Sequence, residues 1–168
     1  MKKNNQIIIS ELMALCAILI VAIIMTAYSL KSNNKKFNVY IEHINNPVLN
    51  GVVYETKKPE LSKNSISNYE LKFTNNSNSI AYSFNVVNKG NVDAKISELE
   101  FDTPICKQNN ITTNCNELFY NLIYSGSGFK VSHNDVLKAG ETKTMVLFIK
   151  VNADNVTVSN LNLRLKYE

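Results

Sequence analysis

The chain has 168 residues, 45% of them hydrophobic and 19% charged, with a formal net charge of +4. That balance excludes a disordered chain, and the scattered lysines form no aromatic-interleaved stripe of the kind that binds nucleic acid, so no nucleic-acid partner is expected. Abundant asparagine, lysine and isoleucine reflect AT-rich codons and point to a low-GC bacterium; so much asparagine also makes the N-x-S/T triplets at Asn75, Asn110 and Asn155 expected by chance.

The first element is apolar. Residues 7–30, "IIISELMALCAILIVAIIMTAYSL", contain one charge, Glu11, and lack the polar face of a buried soluble helix. About 20 helical residues cross a bilayer core, so residues 1–30 are expected to form a transmembrane α-helix that meets lipid through residues 7–30. Lys2 and Lys3 precede the run while Lys31, Lys35 and Lys36 follow it, which brings the positive-inside count close to a tie. The layout of basic start, apolar middle and small residues at the far end places the N-terminus in the cytoplasm and the remainder outside the cell membrane. Cleavage after Ala27 would put Met25 where a small residue is needed, so an uncleaved single-pass anchor is expected. Cys16 follows Leu15 rather than the small residue of a lipidation motif and reads as an apolar helix residue.

"IIISEL" leading into a long apolar helix resembles the start of type IV pilins and pseudopilins, where a glutamate stands fifth in the processed chain. That resemblance implies a first residue at Ile7, a filament subunit, and Glu11 as a helix-packing charge. Gln6 departs from the pattern, because the family has a very small residue there. Read without the resemblance, Glu11 is a carboxylate close enough to the membrane interface to reach water.

A polar stalk, "KSNNKK" over 31–36, precedes a body over 37–168. There apolar residues alternate over short stretches. The rows begin Phe37/Val39/Ile41, Tyr69/Leu71/Phe73, Tyr82/Phe84/Val86, Ala94/Ile96, Leu118/Tyr120/Leu122, Met145/Leu147/Ile149/Val151 and Leu161/Leu163/Leu165/Tyr167. Period two is the mark of half-buried strands. Turn residues at "NNP" 45–47, "NKGN" 88–91, "GSG" 126–128 and "KAGE" 138–141 separate several of them. About seven to nine strands predict an all-β antiparallel sandwich, with a barrel as second choice.

Cys106 and Cys115 enclose "KQNNITTN" and are expected to form a disulfide outside the cytoplasm. Neither these thiols nor His43 and His133 have metal-ligand spacing. No nucleophile elbow or phosphate loop occurs, so no catalytic residue and no cofactor is expected. "SHND" at 132–135 reads as a polar turn, and Glu98, Glu100 and Asp102 as a solvated strand face.

"YSFNVVNKGNVDAKISEL" and "LKAGETKTMVLFIKV" together resemble immunoglobulin-like modules of bacterial surface proteins. The matching residues are Tyr82, Phe84, Val86, Asn88, Gly90, Asp93 and Ala94, then Leu137, Ala139, Gly140 and Glu141. The resemblance implies a surface-displayed sandwich used for spacing, adhesion or assembly, with a protein or cell-surface partner or further copies of itself, and with no catalytic residues. Within the motif, Gly90 is expected to permit a turn tighter than that at Gly126, Asp93 to bond backbone amides, and Gly140 to relieve a corner.

Overall fold

The computed structural model describes the backbone of residues 2–33 and 35–168, and the side chains of Met13, 15–29 and 35–168. It divides into two compact units, 1–36 and 37–168. The first is one helix, α1 (Lys2–Asn33), which continues through half of the expected stalk. Among the described residues no helix is long and apolar enough to cross a membrane. The described side chains do leave apolar surface open all round: Ile18, Leu19, Ile20 and Val21 are 67%, 54%, 57% and 52% exposed. Four consecutive residues at about 100° per step sample every face of a helix.

The second unit is all antiparallel strand. Its elements are β1 (Val39–Ile44), β2 (Val48–Asn50), β3 (Val53–Lys57), β4 (Glu60–Leu61), β5 (Ser65–Phe73), β6 (Ser79–Asn88), β7 (Ala94–Phe101), β8 (Ile105–Gln108), β9 (Ile111–Thr113), β10 (Leu118–Tyr124), β11 (Val136–Leu137), β12 (Thr142–Val151) and β13 (Val156–Tyr167). They make a five-stranded sheet, β1-β6-β12-β10 with β2 also on β6, and an eight-stranded sheet built on β11-β7-β13-β5-β3. Six of the seven alternating rows fall wholly on strands, and the first does so from Val39, since Phe37 lies before β1 and is exposed; the longest strands are β13, β6 and β12.

Each sheet has a central strand. β6 holds β12 along one edge, while β1 and then β2 share the other. β13 likewise holds β5 along one edge, while β8 and then β7 share the other. β13 does this by shifting register after Val158, where Asn160 takes a left-handed φ of 56° and the inward row resumes at Leu161. β5 has a matching irregularity at Asn68, φ 65°. Asn162 ties the two together: its Oδ1 accepts the Asn68 amide at 2.8 Å and its Nδ2 donates to Asp102. A bulge of this kind bends a strand and re-aims its side chains.

The core lies between the sheets. Ile80, Tyr82, Phe84, Val86, Leu147 and Ile149 from one face Ile66, Leu71, Phe73, Val158, Leu163 and Leu165 from the other, all fully buried. Each such side chain contributes about 2 kcal/mol by leaving water. Among the described residues none before Val39 belongs to the core, so residues 37–168 carry a core of their own with which to fold alone.

Tyrosines supply polar ties across the gap. The Tyr69 and Tyr120 hydroxyls lie 2.8 Å apart, and Tyr82 donates to Glu55 at 2.8 Å. Burial first pushes the Tyr69, Tyr82 and Tyr120 phenols above the ordinary 10.0; the partners of Tyr69 and Tyr82 add to it, while at Tyr120 the Tyr69 hydrogen bond opposes it. Unfolded tyrosines ionise near that value and the folded ones resist, so their contribution is complete below it and is lost as pH rises beyond it. The urea midpoint should therefore fall between about pH 9 and pH 11, and Tyr82→Phe should flatten the fall.

Candidate functional site

Sequence-selected residues gather at opposite ends of the sandwich. At the end where the chain enters at Phe37, Asn88 is fully buried and acts as a clamp. Its Nδ2 donates to the carbonyls of Val92, Leu137 and Lys138 at 2.9, 3.2 and 3.3 Å. Its Oδ1 accepts the amides of Gly90 at 2.9 Å and Asn38 at 3.2 Å. One amide side chain thus joins the start of β1, the β6–β7 turn and the β11–β12 turn. Asp93 accepts the Ala139 amide at 2.9 Å, and Gly140, φ +73°, donates its amide to the Asn88 carbonyl at 2.9 Å.

The positive-φ glycines are Gly51, Gly126, Gly128 and Gly140, and Gly90 is not among them. Its amide is held by Asn88, two residues before it, at 2.9 Å. The crowded glycine is Gly51, φ +81°, where a Cβ would lie 2.0 Å from Asn78 Oδ1. Asn78 cannot easily yield, because it is buried and its Nδ2 donates to the Val52 carbonyl at 2.8 Å. Sequence spacing held no sign of this long-range contact. Gly51→Ala should destabilise by about 1–3 kcal/mol, more than Gly90→Ala, in urea titrations of both variants. Asn88→Ala should cost about 2–3 kcal/mol, because it strands several buried backbone groups.

At the opposite end Cys106 and Cys115 are joined. Cys106 lies on β8, against β13 of the larger sheet, while Cys115 precedes β10 of the smaller one and accepts the Leu118 amide through its carbonyl at 3.0 Å. The bond therefore fastens β8 of the larger sheet to the segment by which the chain passes from β9 into β10 of the smaller one. Beside it is a hollow of about 190 Å³, lined in part by both cysteines, Leu118 and Val151. It is smaller than the roughly 300 Å³ at which ligand pockets begin. The surrounding turns interlock: Asp154 accepts the Asn76 amide at 2.6 Å, and Gln108 donates to the Asp154 carbonyl at 2.8 Å.

The two outer faces differ. On the larger sheet, Glu98 and Glu100 of β7 pair across strands with Lys166 and Arg164 of β13. The Lys166 ammonium holds the Glu98 carboxyl below its ordinary value. On the smaller sheet, Phe119 stacks edge-on against Phe148 with centroids 5.9 Å apart, and Phe119 is half exposed. Asp135 serves as a turn residue, accepting the Ser132 amide at 2.8 Å and the Tyr124 hydroxyl at 2.9 Å, and His133 beside it is exposed. Among the described residues no group of His, Cys, Asp and Glu is placed to hold a metal. The Glu11 side chain lies outside the described residues, and Cys16 is an exposed free thiol.

No protein family, curated protein or solved structure matches the chain. Thiol counting tests the staple directly. In unfolded, unreduced protein maleimide should label Cys16 alone, and after reduction all 3 cysteines. Reduction should lower stability by about 2.5–3 kcal/mol for a loop of this size.

Proposed function

We propose that this chain is a single-pass bacterial surface protein that displays an immunoglobulin-like β-sandwich outside the cytoplasm, with a structural or adhesive role exercised through protein or surface contacts. The observation that carries the reading is the Cys106–Cys115 disulfide. Such bonds persist in oxidising compartments, which a bacterial chain reaches by crossing its membrane.

The leading helix supplies a means of crossing and of remaining attached. Its apolar sequence runs beyond the described side chains in both directions, to Ile7 and to Leu30. Apolar side chains left uncovered on every side call for an apolar surrounding, and a bilayer provides one. The body adds an aromatic pair, half-exposed Phe119 with partly buried Phe148, and an open strand edge at β3, features through which sandwiches engage other chains.

Two measurements on cells test this. Protease applied to intact cells should remove the body, and alkaline carbonate should leave the helix-bearing chain in the membrane. Retention of the body after shaving would overturn the external location. Mass spectrometry of the purified protein should begin at Met1; a chain starting at Ile7 would instead favour the filament-subunit reading built on Glu11.

A further inference from the structure

The turns at the two ends of the sandwich carry different charge. At the Phe37 end, the β4–β5 turn brings Lys63, the β6–β7 turn Lys89, and the β11–β12 turn Lys138, all exposed. They belong to one end: the Lys63 carbonyl accepts the Ile41 amide at 2.8 Å, Lys89 donates its amide to the Asn38 carbonyl at 3.0 Å, and the Lys138 carbonyl is held by Asn88. Lys63, Lys89 and Lys138 make no ion pair among the described residues. Lys89 lies over the Tyr40 ring, which leaves its charge intact.

Of the carboxylates at this end, Glu42 acts on Lys89 and favours its charged form, while the others are engaged elsewhere. Asp93 accepts the Ala139 amide. Glu141 accepts the Lys138 amide at 2.7 Å and sits 3.9 Å from Lys143. Glu168 pairs with Lys95 at 3.5 Å, and Glu98 with Lys166. At the other end the turns at 51–52, 74–78, 109–110, 114–117 and 152–155 hold no lysine or arginine, and their charges are Glu117 and Asp154.

From this polarity we infer that the Phe37 end of the sandwich docks on a surface of anionic lipid headgroups. The inference rests on the membrane-anchored reading, because residues 31–36 can reach no further than about 20 Å even when fully extended. Lysines near an anionic leaflet each favour binding severalfold, and their effect is confined to roughly a screening length. The partner is a lipid surface because the three lysines sit on three separate turns and do not converge: a hollow of about 340 Å³ at this end is lined by Lys63 but by neither Lys89 nor Lys138.

The test uses residues 37–168 without the helix, so that anchoring and docking can fail separately. This fragment should sediment with vesicles rich in phosphatidylglycerol, not with pure phosphatidylcholine, and should be released near 1 M salt, where the screening length is about 3 Å. Lys63→Gln, Lys89→Gln and Lys138→Gln combined should weaken partitioning about a hundredfold. The charge-matched set Lys72→Gln, Lys107→Gln and Lys150→Gln should leave it nearly unchanged. Equal loss in both sets, absence of phosphatidylglycerol preference, or binding to soluble polyphosphate with none to vesicles would overturn the inference. A full chain that survives carbonate extraction while the fragment ignores vesicles would defeat docking alone. Release of the full chain by carbonate, with the fragment still bound to phosphatidylglycerol, would defeat anchoring alone.

Discussion

Two long strands, β6 and β13, run through the middle of the body, and each can turn only every second side chain inward. Setting their inward rows face to face excludes water from Tyr82, Phe84 and Val86 on one side and from Leu163 and Leu165 on the other. The remaining architecture is a response to that pairing of apolar faces. β12 and β5 extend the buried surface sideways along the full length of the central strands. Shorter strands share the other edges, two to a side, because neither central strand has a single partner long enough to cover it.

Burying so much apolar surface leaves polar atoms to satisfy, and the molecule does this at few positions. Tyrosine suits the seam between sheets, since its ring joins the core while its hydroxyl reaches across, as between Tyr69 and Tyr120 or from Tyr82 to Glu55. Asparagine serves at the ends, where donor and acceptor on one side chain can meet backbone groups of both kinds. Asn88 and Asn162 each connect segments more than forty residues apart in the chain. The abundance of this residue, at first a matter of codon bias, is turned here to structural use.

The long strands were legible because alternation over five or more residues has one simple physical cause. β2, β4, β9 and β11 were not, since two or three residues cannot display a period and most of their side chains are exposed. β8 is little longer, and it was read only as the flank of a loop. The cysteine pair was legible from nearness in sequence. Its place at the passage from one sheet to the other was not, because that depends on β10 lying in a different sheet from β8 and β9. Asn88 was picked out by its motif, yet the weight was assigned to neighbouring Gly90. A glycine in a turn has a local rationale, whereas a buried amide shows its value only when three distant segments surround it. Gly51 and Asn78 make the same point, being 27 positions apart yet in steric contact. The basic end was hidden too, for lysines 63, 89 and 138 look scattered until the strands bring their turns together.

The order in which strands enter the sandwich has a mechanical side. The chain passes from Phe37 directly into β1, whose hydrogen bonds to β6 lie across the strand axis. Tension applied at Phe37 along that axis would not peel those bonds one after another. It would load the row from Val39 to Ile44 together, in shear, with the Asn88 grip on Asn38 at its leading edge. A strand loaded in this way resists being drawn out far better than one pulled sideways.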